Sequence, residues 1–363
     1  MNHKNIAIIK LSSLGDIVHT LPAFNLLREM FPQAKLSWIV EPAGAKLLEN
    51  FSGIDEIIVI NLKTPGFFNK ISEVRRILSK YKLTFDLIFD FQGLLKSAIL
   101  SYLLKSETIG FNKENLREPP ARFFYKRKAP IFDERDHVIF KNIHLISSRR
   151  FTFDAGEQKE KTRSIRTGVK YKHLPPKYPP IKELPEGRDL KKFLSANELA
   201  ARNFLILNVG GGWETKLLTA AQNIKILNRL ASKFKNKYKI VVLWGNEKEK
   251  ETAKEISAQT GAIMAIFFGF SDLIRFIKYS RLIITGDTLP MHIADMVETP
   301  SVGIFGPTMP SRNGSLLESS SAVYEKLPCG FCYKKKCGTI TCLKKLDTEK
   351  IIRAVENIDE KHG

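Results

Sequence analysis

The chain has 363 residues, of which 43% are hydrophobic, and it carries a formal net charge of +20 at pH 7. This length favours two domains, the hydrophobic fraction excludes a disordered chain, and no apolar run approaches the ~18 residues that span a bilayer. The charge predicts an anionic partner (nucleic acid, an anionic membrane surface or a phosphorylated substrate), and the alternative is a simple bias toward lysine. The opening segment MNHKNIAIIK has no signal-peptide pattern, so we expect a cytoplasmic protein.

The first half of the chain alternates between short apolar runs and stretches with helical spacing. Runs rich in Ile and Val predict strands in IAIIK (6–10), LSWIV (36–40), EIIVI (56–60) and LIFDF (87–91). Between them, HTLPAFNLLREMF and ISEVRRILSKYK have the spacing of amphipathic helices. Such alternation indicates a parallel sheet covered on both faces, here in a first domain over 1–150.

A charged, proline-rich segment predicts a linker over 151–203. Within it, HLPPKYPPIKELPEG contains five prolines, a composition typical of interdomain connections. After it the alternation resumes, which predicts a second α/β domain over 204–345. Its predicted strands lie in FLILNVG (204–210), KIVVLWG (239–245), AIMAIFF (262–268), RLIITG (281–286) and SVGIFG (301–306).

The predicted helices of the second domain include TAAQNIKILNRLASKF and EKEKETAKEISAQT. A last helix is predicted in 346–363, with Asp347 as its N-cap. Ligands of such α/β folds bind at the carboxyl ends of the strands, so we expect the functional site in a cleft between the two domains.

The stretch LSSLGDIVHTLPAF places one carboxylate, Asp16, in the turn that follows the first predicted strand. There Asp16 is a candidate general base for a substrate hydroxyl. The alternative is that Asp16 is the N-cap of the following helix. His19 is predicted either to face the same cleft or to be a polar residue of the first helical turn.

A glycine-rich stretch, NVGGGWETK, opens the second domain. Three glycines after a strand let backbone N–H groups approach an anion closely, and Lys216 is placed to neutralise a phosphate. The stretch matches neither the P-loop pattern nor the G-x-G-x-x-G turn of dinucleotide folds.

A second anion-binding pattern is ITGDTLPMHIAD (284–295), in which a strand ends and a helix begins at a proline. Asp287 and Thr288 are candidate caps of this helix. Its free N–H groups and the positive end of its dipole favour an anion, with Thr288 and His292 as further donors. The turn in GIFGPTMPSRN (303–313) lies in a similar position. Together the three turns favour a phosphate-bearing ligand.

Four cysteines lie within fourteen residues, and none occurs elsewhere: Cys329, Cys332, Cys337 and Cys342. The spacing C-x2-C-x4-C-x4-C suits a tetrathiolate metal site, for which zinc is the chemical default and iron fits the same ligands. Such a metal would be structural, because four protein ligands leave no open position. Reduced thiols and disulfides are the alternatives, and disulfides are disfavoured in a cytosolic chain.

Taken together, several of these motifs resemble the bacterial ADP-heptose:lipopolysaccharide heptosyltransferases of glycosyltransferase family 9. The matching segments are IIKLSSLGDIVHTLPAFNLL, FDFQGLLKSA, GGGWETK, GDTLPMHIA and FGPTMPSR, so the resemblance covers nearly the whole chain except the linker. It implies an α/β protein of the GT-B fold, in which two Rossmann-like, doubly wound parallel-sheet domains face each other across a cleft. The resemblance implies that the domain over 1–150 binds the acceptor and the domain over 204–345 binds the nucleotide-sugar. It also implies that the helix in 346–363 packs back on the N-terminal domain.

The resemblance implies inverting transfer of heptose from ADP-L-glycero-D-manno-heptose to the Kdo of Kdo2-lipid A in the lipopolysaccharide inner core. Asp16 would deprotonate the acceptor hydroxyl, while Lys216 and the helix N-terminus would stabilise the leaving pyrophosphate without a catalytic cofactor. The implied donor-binding residues are Gly211, Gly212, Thr215, Glu249 (on the ribose), Asp287, Thr288 and His292. The implied acceptor-binding residues are Ser13, Gly15, His19, Gln92, Arg117, Arg122 and Lys126, with Arg127 as a further candidate.

For each of these basic residues, the alternative interpretation is a solvated surface charge without a role in acceptor binding. On the resemblance, the excess of Lys and Arg suits an anionic lipid acceptor and peripheral association with the anionic inner membrane.

The segments DFQGLLKSAIL and REPPARFFYKRK look most like heptosyltransferase I, whereas the cysteines look more like heptosyltransferase II and the protein heptosyltransferases. A heptosylated lipid or a protein is therefore the alternative acceptor.

The chain departs from the family pattern at Leu289, where Gly is usual, and at Met309, where Asp is usual. Both departures bear on the identity of the donor.

Two other classes of function are disfavoured. A nucleic-acid-binding protein needs basic residues interleaved with aromatics on one face, and only RFFYKRK has them, so we expect no nucleic-acid partner. A nicotinamide-dependent oxidoreductase needs the G-x-G-x-x-G turn that is absent from this sequence.

Overall fold

A computed structural model describes residues 4–63, 65–147, 176–183, 187–235 and 237–362. The chain divides into two compact units, Met1–Glu183 and Leu184–Gly363. This division falls inside the segment predicted as a linker, of which 151–175 and 184–186 lie outside the described residues.

The first unit contains a six-stranded sheet in the order β3-β2-β1-β4-β5-β6, with every neighbouring pair parallel. Its strands are β1 (Asn5–Ile9), β2 (Lys35–Val40), β3 (Glu56–Val59), β4 (Leu87–Asp90), β5 (Glu107–Gly110) and β6 (Arg127–Lys128). The chain order reverses between β1 and β4, which makes their carboxyl ends the switch point where ligands bind in such sheets.

Helices connect the strands of the first unit. They are α1 (Leu14–Val18), α2 (Leu21–Met30), α3 (Pro42–Leu48), α4 (Phe67–Tyr81), α5 (Leu95–Leu103) and α6 (Val138–Ser147). The stretch predicted as one helix over 19–31 begins at Leu21, and a separate short helix precedes it. Pro22 explains the break, because it has no N–H to donate to the preceding turn and sits in the first turn of α2.

The core of the first unit explains why its central strands are so apolar. Ile6, Ala7, Ile8 and Ile9 are all fully buried, so both faces of β1 are covered. A central parallel strand between two helical layers requires this pattern, and the prediction of a parallel sheet covered on both faces is confirmed.

The second unit contains another six-stranded parallel sheet, in the order β12-β11-β10-β7-β8-β9. Its strands are β7 (Phe204–Asn208), β8 (Lys239–Leu243), β9 (Ile263–Met264), β10 (Leu282–Gly286), β11 (Ser301–Phe305) and β12 (Ser321–Tyr324). Here the switch point lies between β7 and β10. The doubly wound α/β class predicted for both halves is therefore confirmed.

The helices of the second unit are α7 (Arg188–Ala196), α8 (Ala220–Phe234), α9 (Glu247–Thr260), α10 (Phe270–Tyr279), α11 (Leu289–Met296), α12 (Pro310–Asn313), α13 (Thr341–Lys344) and α14 (Thr348–His362). Asp347 caps α14 as predicted, since its carboxylate accepts from Glu349 N at 3.0 Å. Within this unit α14 packs against α8 and β12. Among the described residues, no helix combines the length and the apolarity needed to cross a membrane.

Candidate active site

In the second unit, one buried amide ties together the two loops that flank the switch point. Asn208 is the last residue of β7, and its Nδ2 lies 2.9 Å from Gly210 O, 2.9 Å from Thr285 Oγ1 and 3.1 Å from Thr288 Oγ1. The glycine loop is thereby fixed beside the start of α11, where Thr288 holds the N-cap position. Sequence reasoning missed Asn208. The available signal was a polar residue at the end of a buried strand, directly before the glycines.

Lys216, Asp287 and His292 form a charged cluster at this switch point. Lys216 Nζ lies 2.8 Å from Asp287 Oδ2 and 2.9 Å from Asp287 O, and His292 Nε2 lies 3.3 Å from Asp287 Oδ1. Asp287 is only 4% exposed. Burial by itself would raise the pKa of its carboxyl, but the His292 hydrogen bond and the Lys216 charge outweigh burial and hold that pKa well below its usual range. The cluster therefore contains an ionised carboxylate.

Glu249, at the start of α9, holds the backbone of two glycine turns. Its carboxylate accepts from Gly211 N at 3.1 Å and from Gly245 N at 2.7 Å. A Cβ at Gly210 would lie 2.2 Å from Glu249 Oε2, so a larger residue there would displace the Glu249 carboxylate from this position. At Gly212, by contrast, an added Cβ would meet open space.

Thr215, also predicted for the donor, and the two residues that depart from the family pattern lie in the same unit. Thr215 lies in the 3-10 turn Glu214–Lys216, and its hydroxyl donates to Lys334 O at 2.9 Å. Leu289, which departs from the family pattern, is the first residue of α11 and half-buried. Met309, the second departure, is the N-cap of α12 and donates its N–H to Tyr333 Oη at 3.3 Å.

In the first unit, Asp16 lies in the third position of α1, after β1. Ser13 is the N-cap of this helix, and it donates to Asp16 Oδ2 from its backbone N at 3.1 Å and from its Oγ at 2.7 Å. The N-cap role considered for Asp16 therefore belongs to Ser13, and the two residues form a capping box with Gly15 between them.

Gln92 follows β4 and fixes the loop that leads to Asp16. Its Oε1 accepts from Leu11 N at 2.9 Å and from Ser12 N at 3.0 Å. Because Ile9 and Asp90 are register partners in β1 and β4, both loops leave the sheet at the same edge. Gln92 thus supports the segment that carries Ser13, Gly15 and Asp16.

A buried carboxylate that sequence reasoning missed lies behind Gln92. Asp90 is fully buried and accepts from Gln92 N at 2.9 Å, Ser97 Oγ at 2.8 Å and Tyr125 Oη at 2.8 Å. Burial raises the pKa of Asp90 despite these hydrogen bonds. The network fixes the turn after β4, and an acidic residue that ends a wholly apolar strand was the signal for it.

The remaining residues predicted for the acceptor lie in different surroundings. His19 is 3% exposed, and its ring packs edge-on against His137 with centroids 5.6 Å apart. Arg117 and Lys126 are exposed. Arg122 lies over the ring of Phe123, 4.5 Å from its centroid. The further candidate, Arg127, is paired with Glu107 at 2.8 Å.

The predicted tetrathiolate site is not formed. Within the described ranges of the chain, no group of three or more His, Cys, Asp or Glu side chains is arranged to hold a metal. Cys329, Cys332, Cys337 and Cys342 are free thiols. A hydrogen bond from Ile340 N, 3.4 Å away, lowers the pKa of Cys337, whereas burial raises that of Cys342. The structure therefore supports neither a structural zinc or iron nor disulfides.

Comparison with known proteins gives a consistent result. The profile of Glycosyltransferase family 9 (heptosyltransferase) matches residues 74–341. Lipopolysaccharide heptosyltransferase 1 of Campylobacter coli is 31% identical over 318 residues, which are 85% of each chain. Lipooligosaccharide heptosyltransferase 2 of Campylobacter jejuni is 25% identical over 360 residues, or 95% of each chain. The structure of E. coli heptosyltransferase WaaC with ADP has a TM-score of 0.70 at 20% identity, and the match covers 98% of this chain and 99% of that one. This likeness confirms the predicted GT-B fold.

Proposed function

The chain belongs to glycosyltransferase family 9, the heptosyltransferases, and we propose that it transfers heptose from ADP-L-glycero-D-manno-heptose to the Kdo of Kdo2-lipid A. It is a glycosyltransferase enzyme. The choice of acceptor is supported by the similarity to Lipopolysaccharide heptosyltransferase 1, which is stronger than the similarity to the heptosyltransferase 2 relative.

The observation that carries the proposal is the Lys216–Asp287–His292 cluster beside the glycine loop. A lysine ammonium has three donors, and Asp287 takes two of those of Lys216. The third remains for a phosphate oxygen. The first N–H groups of α11 and the positive end of its dipole add further donors for the same anion. This combination suits the diphosphate of a nucleotide-sugar.

On this proposal Asp16 acts as general base. It takes the proton of the acceptor hydroxyl as the hydroxyl oxygen attacks the anomeric carbon of heptose. The bond from that carbon to the β-phosphate oxygen breaks, its electron pair leaves with ADP, and the configuration at the carbon inverts. Lys216 and the N-terminus of α11 stabilise the negative charge that develops on the leaving diphosphate. The residues proposed for the donor need no divalent metal for this step.

We further propose that the protein works in the cytoplasm at the anionic surface of the inner membrane. The net charge of +20 supports this location, because each Lys or Arg near an anionic surface contributes about 1 kcal/mol. Flotation with anionic vesicles at low and at high salt tests it. We expect binding at low salt that is lost at high salt, and no binding at low salt would contradict the proposal.

The experiment that tests the reaction is ADP release from ADP-heptose with Kdo2-lipid A, with heptosyl-Kdo2-lipid A, or without an acceptor, each with and without EDTA. We expect release only with Kdo2-lipid A and no effect of EDTA. Release only with the heptosylated lipid would move the assignment to the second heptose transfer. No release with either lipid would refute transfer to the inner core and direct attention to Leu289, a different donor or a protein acceptor.

Asp16→Asn serves as the inactive variant in this assay. Glu49→Gln, an exposed carboxylate at the end of α3, is the matched control, for which we expect activity equal to that of the unchanged protein.

A further inference from the structure

We propose that Lys335 is a second phosphate-binding cation of the donor site, acting together with Lys216 on the diphosphate of the nucleotide-sugar. This inference rests on the proposed function. It starts from Trp213, next to the glycines, because two ammonium groups lie over its ring: Lys216 Nζ is 4.4 Å from the ring centroid, and Lys335 Nζ is 5.1 Å from it. The two charges share one aromatic side chain, so they lie within about 10 Å of each other.

The loop that carries Lys335 is anchored directly before this position. Lys334 O accepts from Thr215 Oγ1 at 2.9 Å. Tyr333 N donates to Pro307 O at 2.8 Å, in the turn that follows β11. Tyr333 Oη also donates to Asn313 Oδ1 at 3.0 Å. Lys335 therefore follows two residues that are fixed to loops at the carboxyl edge of the sheet.

The charge balance of the site indicates why a second cation is needed. The ionised carboxylate of Asp287 offsets the positive charge of Lys216, so Lys216 offers a phosphate an N–H donor but little net charge. A diphosphate ester brings at least two negative charges. Lys335, by contrast, is exposed and makes no ion pair with any carboxylate in the described part of the chain. Its charge is therefore available to the phosphates, while the ring of Trp213 holds its ammonium in place.

Lys336 provides a matched control. It is the next residue of the same loop, carries the same charge and is also exposed. Its charge acts on Glu214, whose pKa is lowered mainly by its hydrogen bond with Lys248 and further by Lys336. A general effect of positive charge near the site would appear equally in both variants, whereas a specific contact with phosphate would appear only at Lys335.

The test is calorimetric titration of the full-length protein with ADP, AMP and adenosine for the unchanged chain, Lys335→Gln and Lys336→Gln. At low salt we expect Lys335→Gln to weaken ADP binding about five- to tenfold and adenosine binding less than about twofold, with AMP between them. Lys336→Gln should change ADP affinity less than about twofold. The Lys335 effect should shrink at ~1 M salt, where the Debye length is about 3 Å. Lys335→Arg should restore most of the affinity.

Two results would overturn the inference in different ways. If the unchanged protein binds ADP and Lys335→Gln behaves like Lys336→Gln, Lys335 is not a phosphate-binding residue and the proposed function stands. If the unchanged protein binds none of the three nucleotide ligands, the proposed function fails and the inference fails with it.

Discussion

Glu249 offers a prediction whose magnitude follows directly from its hydrogen bonds. The carboxylate accepts from two backbone N–H groups, those of Gly211 and Gly245. A glutamine in its place has one acceptor oxygen, so Glu249→Gln keeps one of these bonds and loses the other. A hydrogen bond to a charged group contributes about 1.5–3 kcal/mol. Gly245 is exposed and Glu249 is half-buried, so solvent screens part of this contribution. We therefore expect Glu249→Gln to lower the local stability of the glycine loop by about 1–2 kcal/mol.

Hydrogen exchange followed by mass spectrometry measures this loss of stability in the two glycine turns themselves. In peptides that cover 208–217 and 243–250, the amides of the two turns should exchange about five- to thirtyfold faster in Glu249→Gln, the factor that corresponds to 1–2 kcal/mol of local opening. The KM for the nucleotide-sugar should rise as well. Glu251→Gln, an exposed carboxylate on the same helix, is the control. If both variants exchange like the unchanged protein, Glu249 does not hold the loop.

Two further variants test the clusters in the two units. Lys216→Met should weaken ADP binding about tenfold and lower kcat/KM, because it removes the ammonium and leaves His292 as the side-chain partner of the buried Asp287; unchanged kinetics would place Lys216 outside the site. Tyr125→Phe should lower the free energy of unfolding by about 1.5–3 kcal/mol, since buried Asp90 loses one donor while the ring is kept. Urea titration measures this loss, and a change below about 0.5 kcal/mol would show that Asp90 does not depend on that hydroxyl.

The sheets could be predicted from the sequence wherever a strand is buried on both faces. Runs such as IAIIK and FLILN are typical of strands that are buried on both faces in an α/β protein. The missed strands are at or near the sheet edges and carry weaker signals: β5 is ETIG, β6 is RK and β12 is SAVY. The run AIMAIFF forms only the two-residue β9; beyond it, Phe268 packs against Phe276 and Phe267 is 64% exposed.

The site shows a similar division between what sequence can predict and what it cannot. The loops after β7 and β10 meet because these strands are neighbours, so the approach of Lys216 to Asp287 follows from topology once the strands are known. The position of Lys335 does not follow from any local pattern. It depends on contacts of the cysteine-containing loop: Lys334 contacts Thr215, 119 residues away in the chain, and Tyr333 contacts Pro307, 26 residues away. The spacing of the four cysteines in this loop predicted a metal site. Only the side-chain positions show that no such site is formed among the described residues.

Asp16 stabilises the start of α1, and we propose that it is also the general base. Ser13 holds the carboxylate with two hydrogen bonds, both to Oδ2. A carboxylate has about four lone-pair sites, so stabilising the start of α1 uses only part of its accepting capacity, and the same group can take a proton. Asp16→Asn preserves an acceptor for Ser13 but cannot serve as a base, so we expect kcat to fall by about 10²–10⁴-fold with little change in the KM for the donor. Ser13→Ala removes one hydrogen bond and leaves the base, so kcat should fall only a few-fold. If Asp16→Asn keeps near-normal kcat, or if Ser13→Ala loses as much activity as Asp16→Asn, the carboxylate is a helix-stabilising group and the base lies elsewhere.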